Sequence, residues 1–221
     1  MGDARYDGLA EWYDRDFDPE PLEGAQHQAV LRILGDRSGT LLDVGCGTGA
    51  RTAALAARGW DATGVDVSGD MLRLARERGV HAVRADATAL PFDDASFDAV
   101  VSTWTHTDVE DFPAVVSEVA RVLRPAGPFV YAGAHPCFVG PHSVFAGALG
   151  VPALHPGYRR TGRYTEGPGV VADGLRAKVG ATHLPLGSFM QAFLAAGFRL
   201  EHFEELPDAE YPYMVATRWG R

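Results

Sequence analysis

Between residues 40 and 134, short apolar runs alternate with segments whose apolar residues recur at three- and four-residue steps, the pattern of stacked strand–helix–strand units. Thr40-Leu41-Leu42-Asp43-Val44 reads as a first buried strand, with further strands expected at 61–66, 81–84, 97–104 and 128–134. Helices are expected at 51–58, closed by Gly59, and at 69–78, with Ser68 as N-cap and Gly79 as stop. A third starts at Phe112, where Phe112, Val115, Val116, Val119, Val122 and Leu123 keep helical spacing until Pro125. Ahead of this core, 21–34 reads as an amphipathic helix behind a lead that carries Tyr6, Trp12 and Tyr13. Behind it, 135–185 lose all regular periodicity and are rich in Gly and Pro, which is long for a structureless loop unless it is functional. Helical spacing returns at Phe189, Met190, Phe193 and Leu194 and stops at Gly197. Strands at 198–205 and 213–219 then stand too close together for a parallel crossover, so they pair antiparallel. The pattern predicts one α/β domain: a Rossmann-like three-layer sandwich around a mostly parallel seven-stranded sheet with a C-terminal antiparallel hairpin. Its expected parts are an N-terminal helical cover (1–38), a core (39–134), a flap (135–186) and a closing helix and hairpin (187–221).

Composition narrows the function classes. Of 221 residues, 46% are hydrophobic and 22% charged, which excludes wholesale disorder. No apolar run approaches the roughly 20 residues that span a bilayer, and the N-terminus lacks a basic stretch followed by an apolar one. Two cysteines, Cys46 and Cys137, make no disulfide framework, and no Cys/His spacing suggests a metal. A cytoplasmic protein without membrane attachment is expected. A net charge of −9 argues against a nucleic-acid backbone as partner.

The strongest chemical signal is Asp43-Val44-Gly45-Cys46-Gly47-Thr48-Gly49, glycines between a strand and a helix start, where a ligand can approach the backbone. By itself the loop indicates a nucleotide-like ligand and also fits the dinucleotide pattern loosely, with Asp66 about 20 residues on. Together with Gly64-Val65-Asp66-Val67-Ser68, Arg84-Ala85-Asp86-Ala87-Thr88-Ala89-Leu90-Pro91-Phe92, Phe97-Asp98-Ala99-Val100-Val101 and Arg121-Val122-Leu123-Arg124-Pro125, it resembles the ordered motifs of class I S-adenosylmethionine-dependent methyltransferases of small-molecule type. Tyr6 to Asp14 is similar to their N-terminal cover. The resemblance is good over 4–134 and moderate over the last 35 residues; Ala126 stands where Gly is commoner.

The resemblance implies S-adenosylmethionine as cofactor and a small-molecule acceptor of secondary metabolism. It implies Asp66 on the ribose hydroxyls with Val67 beside it, Asp86 on the adenine amino group, and the Ala87 N–H on the ring. Gly45, Gly47 and Gly49 form the cradle, Asp43 suits the ammonium of the methionine part, and Tyr13 and Thr103 complete the cofactor set. For the acceptor side, Tyr6, Trp104 and Asp108 are candidates. Methyl transfer needs a base only when the acceptor must lose a proton. His106, just after the fourth strand, leads the candidates with Asp108 as its partner, followed by His135 and His183. The flap carries Arg159, Arg160, Arg163, Arg176 and Lys178 against Glu166 and Asp173; Arg159 and Arg160 are the candidates for an acceptor carboxylate or phosphate. Three alternatives stand beside this reading: a protein that binds the cofactor without turnover, one that uses the bound sulfonium electrostatically for a non-methylating reaction, and an NAD-type oxidoreductase. A common proton donor of the last, Tyr with Lys four residues on, is missing, since Gly174 precedes the single Lys178 at that spacing. Oligomeric state and the atom methylated stay open.

Overall fold

The computed structural model describes residues 4–145 and 151–221, so the part of the expected flap at 146–150 and the first three residues of the cover lie outside the described residues. The elements in order are α1 (Ala10–Trp12), α2 (Ala25–Leu34), β1 (Gly39–Val44), α3 (Ala50–Ala56), β2 (Trp60–Asp66), α4 (Gly69–Glu77), β3 (His81–Arg84) and β4 (Ala99–Thr103). They continue with α5 (Phe112–Val122), β5 (Phe129–Ala134), β6 (Ser143–Phe145), β7 (Pro152–Leu154), β8 (Gly162–Tyr164), α6 (Leu175–Val179) and β9 (Ala181–His183). Last come α7 (Leu186–Ala195), β10 (Arg199–Leu206) and β11 (Met214–Gly220).

Seven strands form one sheet in the order β10-β11-β5-β4-β1-β2-β3. β1 to β5 run parallel, and β11 enters antiparallel between β5 and β10. Strand side chains alternate faces, and here both faces are covered. Leu42, Val44, Val100, Phe129, Tyr131, Val215 and Trp219 face α5 and α7. Leu41, Ala99, Val101, Val130, Ala132, Met214 and Ala216 face the other layer, with Val30 and Leu34 of α2 and Leu55 of α3. Phe193 of α7 stacks on Trp219 with centroids 4.2 Å apart, a contact of about 1 kcal/mol beyond the area it buries. The Ser68 hydroxyl caps α4 by accepting from the Met71 N–H at 3.2 Å.

Three expectations need correction. The helix expected from residue 21 begins at Ala25, because Gly24 is extended (φ −63°, ψ 141°) and the residues before it turn. The fourth strand ends at Thr103, because Trp104 takes a left-handed backbone (φ 64°) and starts a 3-10 turn at Thr105–Thr107. The flap is not structureless: β6 pairs with β7 and β8 with β9, each over three residues, and α6 lies between β8 and β9. Pairings that short leave no period to read in a sequence.

Candidate functional site

Chain order reverses across the sheet between β1 and β4, and at such a point a crevice opens beyond the carboxyl ends of the strands. The cavity found there holds about 330 Å³ and is walled by the loop after β1, the ends of β2 and β4, the turn after β3, and the N-terminal lead.

The floor is the glycine loop. Gly45 and Cys46 both donate to the Val65 carbonyl, at 2.8 and 3.0 Å, which draws the loop against β2. Gly45 (φ 76°) admits no Cβ, since one would stand 2.8 Å from Thr105 Oγ1, while at Gly47 (φ 54°) the space around a Cβ is open. Three carboxylates line the cavity with this loop. Asp66 accepts from the Gly47 N–H at 3.0 Å and the Ser68 N–H at 2.9 Å, one on each oxygen, and burial raises its pKa against those bonds. Asp86 accepts from the Thr88 N–H and hydroxyl, at 3.0 and 2.7 Å. Asp43 is buried and accepts from the Thr52 hydroxyl at 2.6 Å; burial pushes its pKa to about 6.

The lead closes one side. Asp7 accepts from the Ser68 hydroxyl at 2.6 Å, Asp14 pairs with Arg78 at 2.6 Å and Asp18 with Arg51 at 2.8 Å. These contacts hold Tyr6 and Tyr13 edge to face on the wall, centroids 5.7 Å apart. Opposite, the left-handed turn at Trp104 puts its ring on the wall next to Thr103 and Thr105. Asp108 follows, accepting on Oδ1 from the Tyr6 hydroxyl at 3.1 Å and from Arg176 at 3.0 Å, and burial raises its pKa.

Of the residues singled out in the sequence, Tyr6, Tyr13, Asp43, Gly45, Gly47, Asp66, Val67, Asp86, Ala87, Thr103, Trp104 and Asp108 line this one cavity. Gly49 does not. It sits behind the loop with φ 78°, and a Cβ there would meet the Ala75 backbone at 2.8 Å, so it lets α3 start against α4.

All three candidate histidines lie outside the cavity wall. The 3-10 turn sends His106 inward, where Nδ1 meets the Tyr131 hydroxyl and the ring packs on Phe112 and Phe189; burial pushes its pKa down to about 3. It is a core residue and does not pair with Asp108. His135 continues the β5–β11 register by donating its N–H to the Tyr213 carbonyl, and its ring bridges Glu205 (2.8 Å) and the Cys137 N–H (3.1 Å). His183, in β9, bonds the Tyr158 carbonyl at 2.8 Å, and burial lowers its pKa. Arg159 and Arg160 are exposed and also lie off the wall.

Three arginines were missed, of which Arg5 lines the cavity and pairs with Glu110. Arg51, in the first turn of α3, lines the cavity, and its Nε, though buried, makes no hydrogen bond among the described residues. Arg176 is the flap cation that bonds to a wall residue, Asp108, from outside the cavity. The available signal was Leu175 and Val179, an apolar pair one helical turn apart that buries α6 and turns Arg176 with it.

Among the described residues no group of His, Cys, Asp and Glu could hold a metal, and no helix is long and apolar enough to cross a membrane. The wall as a whole is acidic, with seven carboxylates against two arginines, Arg5 and Arg51. Such a surface suits a cationic ligand and opposes a pyrophosphate.

Residues 42–131 match a family model described as a methyltransferase domain. A demethylmenaquinone methyltransferase of Clavibacter sepedonicus is 41% identical over 138 residues, which cover 58% of this chain and 55% of that protein. One of Mycobacterium marinum is 38% identical over 133 residues, covering 58% and 56%. The chain thus spans about half the length of the curated relatives it matches. Among solved structures, an S-adenosylmethionine dependent methyltransferase of Mesorhizobium loti superposes with a TM-score of 0.76 at 26% identity, covering 90% of this chain and 100% of that one. One of Aquifex aeolicus shares the fold at 17% identity, with a TM-score of 0.65 over 95% and 97% of the two chains.

Proposed function

We propose that this chain, a class I S-adenosylmethionine-dependent methyltransferase, moves the methyl group of S-adenosylmethionine to a small-molecule acceptor held in the acidic cavity. The observation that carries the reading is the wall itself: a glycine loop at the sheet's switch point, ringed by Asp43, Asp66 and Asp86, in a cavity where carboxylates outnumber arginines seven to two. A sulfonium with an ammonium nearby is stabilised there; the pyrophosphate of a nicotinamide dinucleotide is repelled.

Each side chain has a role that its present bonding leaves room for. Both Asp66 oxygens are aimed by backbone N–H groups, and each keeps a lone pair for a ribose hydroxyl. Asp86 is braced by Thr88 at the adenine end, with Ala87 beside it. Asp43 meets the ammonium and Arg51 the carboxylate of the methionine part; a cation this enclosed with a free Nε is suited to a planar anion. Gly47 leaves the floor open for the ligand.

When bound, S-adenosylmethionine supplies an electrophilic methyl group on a positively charged sulfur. The protein's task is to align an acceptor with that carbon and keep water out. Tyr6, Tyr13 and Trp104 offer ring faces to a flat acceptor and to the sulfonium. The relatives' names support a small-molecule acceptor. The reading takes the chain as one catalytic domain with residues 135–186 as its acceptor-side flap, in a cytoplasmic setting and in secondary metabolism.

Titration calorimetry with S-adenosylhomocysteine tests it directly. The chain should bind at micromolar levels, and Asp66→Ala or Asp86→Ala should weaken binding at least about tenfold, the value of one or two lost charge-assisted hydrogen bonds. No heat of binding would sink the reading.

A further inference from the structure

Among the groups around the acceptor end of the cavity, one carboxylate is built differently from the rest. Glu110 is exposed and pairs with Arg5, and Asp111 is occupied as the N-cap of α5, accepting from the Ala114 N–H at 3.0 Å. Asp108 is enclosed, and its two oxygens are unequal. Oδ1 takes both the Tyr6 hydroxyl and Arg176 Nη1; Oδ2 accepts no hydrogen bond among the described residues. About a quarter of its side-chain area (26%) stays open, and the cavity is what it opens onto. Arg176 is tied a second time, by Nη2 to the Thr107 hydroxyl at 2.9 Å, so the guanidinium is held at two points on the turn that follows β4. Lys178, two residues on, lies over the Trp12 ring at 5.2 Å and anchors the same helix to the lead. The hairpin of β8 and β9, with α6 between them, is therefore tied to Asp108 on the cavity wall through this arginine.

We propose that Asp108 is the carboxylate that accepts the proton of the methyl acceptor, with Oδ2 turned to the place of methyl transfer and with Arg176 and Tyr6 as the residues that position it. The inference rests on the methyl-transfer reading above and deepens it: the acceptor is of the class that carries a hydroxyl or an ammonium group, not a thioether or a tertiary amine. In the step itself the O–H or N–H bond of the acceptor breaks and its proton passes to Oδ2. The electron pair so released forms the bond to the methyl carbon, and the carbon–sulfur bond breaks with its pair going to sulfur, which leaves a neutral thioether and a protonated Asp108. The two donors on Oδ1 keep the carboxylate from rotating, and Tyr6, which donates there, is not itself a base. Among the described residues no histidine lines this wall, so the proton has no imidazole there to go to.

The test needs no knowledge of the natural acceptor. Sinefungin carries a primary ammonium where S-adenosylmethionine carries its methyl group, so a carboxylate facing that point should hold it more tightly than S-adenosylhomocysteine, which has nothing there. Calorimetry on the intact chain should show sinefungin preferred by about tenfold or more, the value of one charge-assisted hydrogen bond. Asp108→Asn should abolish the preference while S-adenosylhomocysteine binds within about threefold of the parent, which also shows that the variant is folded. Arg176→Gln should lose most of the preference, and Arg176→Lys should recover part of it, a rescue that a merely structural role would not produce. A preference that survives Asp108→Asn, or S-adenosylhomocysteine weakened in parallel with sinefungin, overturns the proposal. A parent chain that binds S-adenosylhomocysteine with no preference for sinefungin overturns the proposal alone. A parent chain that binds neither overturns the methyl-transfer reading beneath it.

Discussion

Asp43 is the residue at which stability and the proposed ligand binding pull against each other. Its pKa rises from 3.8 to about 6 because burial outweighs the Thr52 hydroxyl and the charge of Arg51. A carboxyl with a raised folded pKa favours folding below its unfolded pKa, and that contribution is lost as the pH climbs through 6. By pH 7.5 the ionised group costs about 3 kcal/mol. Asp43→Asn should therefore melt several degrees above the parent chain at pH 7.5, with the gap closing by pH 4, and should gain less stability from S-adenosylhomocysteine; equal melting temperatures across that range would refute the assignment. At the same scale, Asp43, Asp66 and Asp86 could be singled out in advance through the motifs that carry the family resemblance, and Asp43 also because a carboxylate in an apolar strand needs a partner to be there. His106 could not be placed in advance. Whether a histidine beyond a strand turns to the cavity or to the core depends on the left-handed backbone at Trp104, a residue whose bulk gives no sign of it.

Elements show the same division. The strands and helices of 39–134 carry long, repeated apolar spacing and were readable to within a few residues. The flap was not, since pairings of three residues and a helix of five are held by the surfaces they lie on. Arg176 is the consequence: of five flap cations, the one that reaches Asp108 is chosen by how α6 docks. A second element-scale device is the join between α3 and α4. Gly49 combines φ 78° with an approach to the Ala75 backbone that a Cβ would bring to 2.8 Å. Gly49→Ala should destabilise the fold by about 2 kcal/mol or more from the strained backbone and the clash together. Denaturant unfolding measures this directly; a loss under about 0.5 kcal/mol, the range of neutral surface changes, would contradict it.

At the scale of the whole molecule, charge is distributed to a purpose. The chain carries −9 overall, and the cavity wall concentrates seven carboxylates. S-adenosylmethionine, with one net positive charge, should be drawn in by that field, whereas S-adenosylhomocysteine, with none, should not. Stopped-flow association should slow about two- to fivefold for the first between 10 and 300 mM salt and stay flat for the second, as screening shortens the range of the field. Equal salt dependence of the two would remove electrostatic steering from the account.

The order of strands and helices, the antiparallel return of the last two strands and the loop that marks the ligand crevice followed from the sequence by itself, because each rests on local periodicity and turn chemistry. Which histidines are buried, which arginine meets Asp108, and that Tyr6 bonds to Asp108 were decided only in three dimensions. Those outcomes depend on contacts between residues as far apart as Tyr6 and Asp108, or Asp108 and Arg176, and separation of that kind leaves no trace in the spacing of neighbours along the chain.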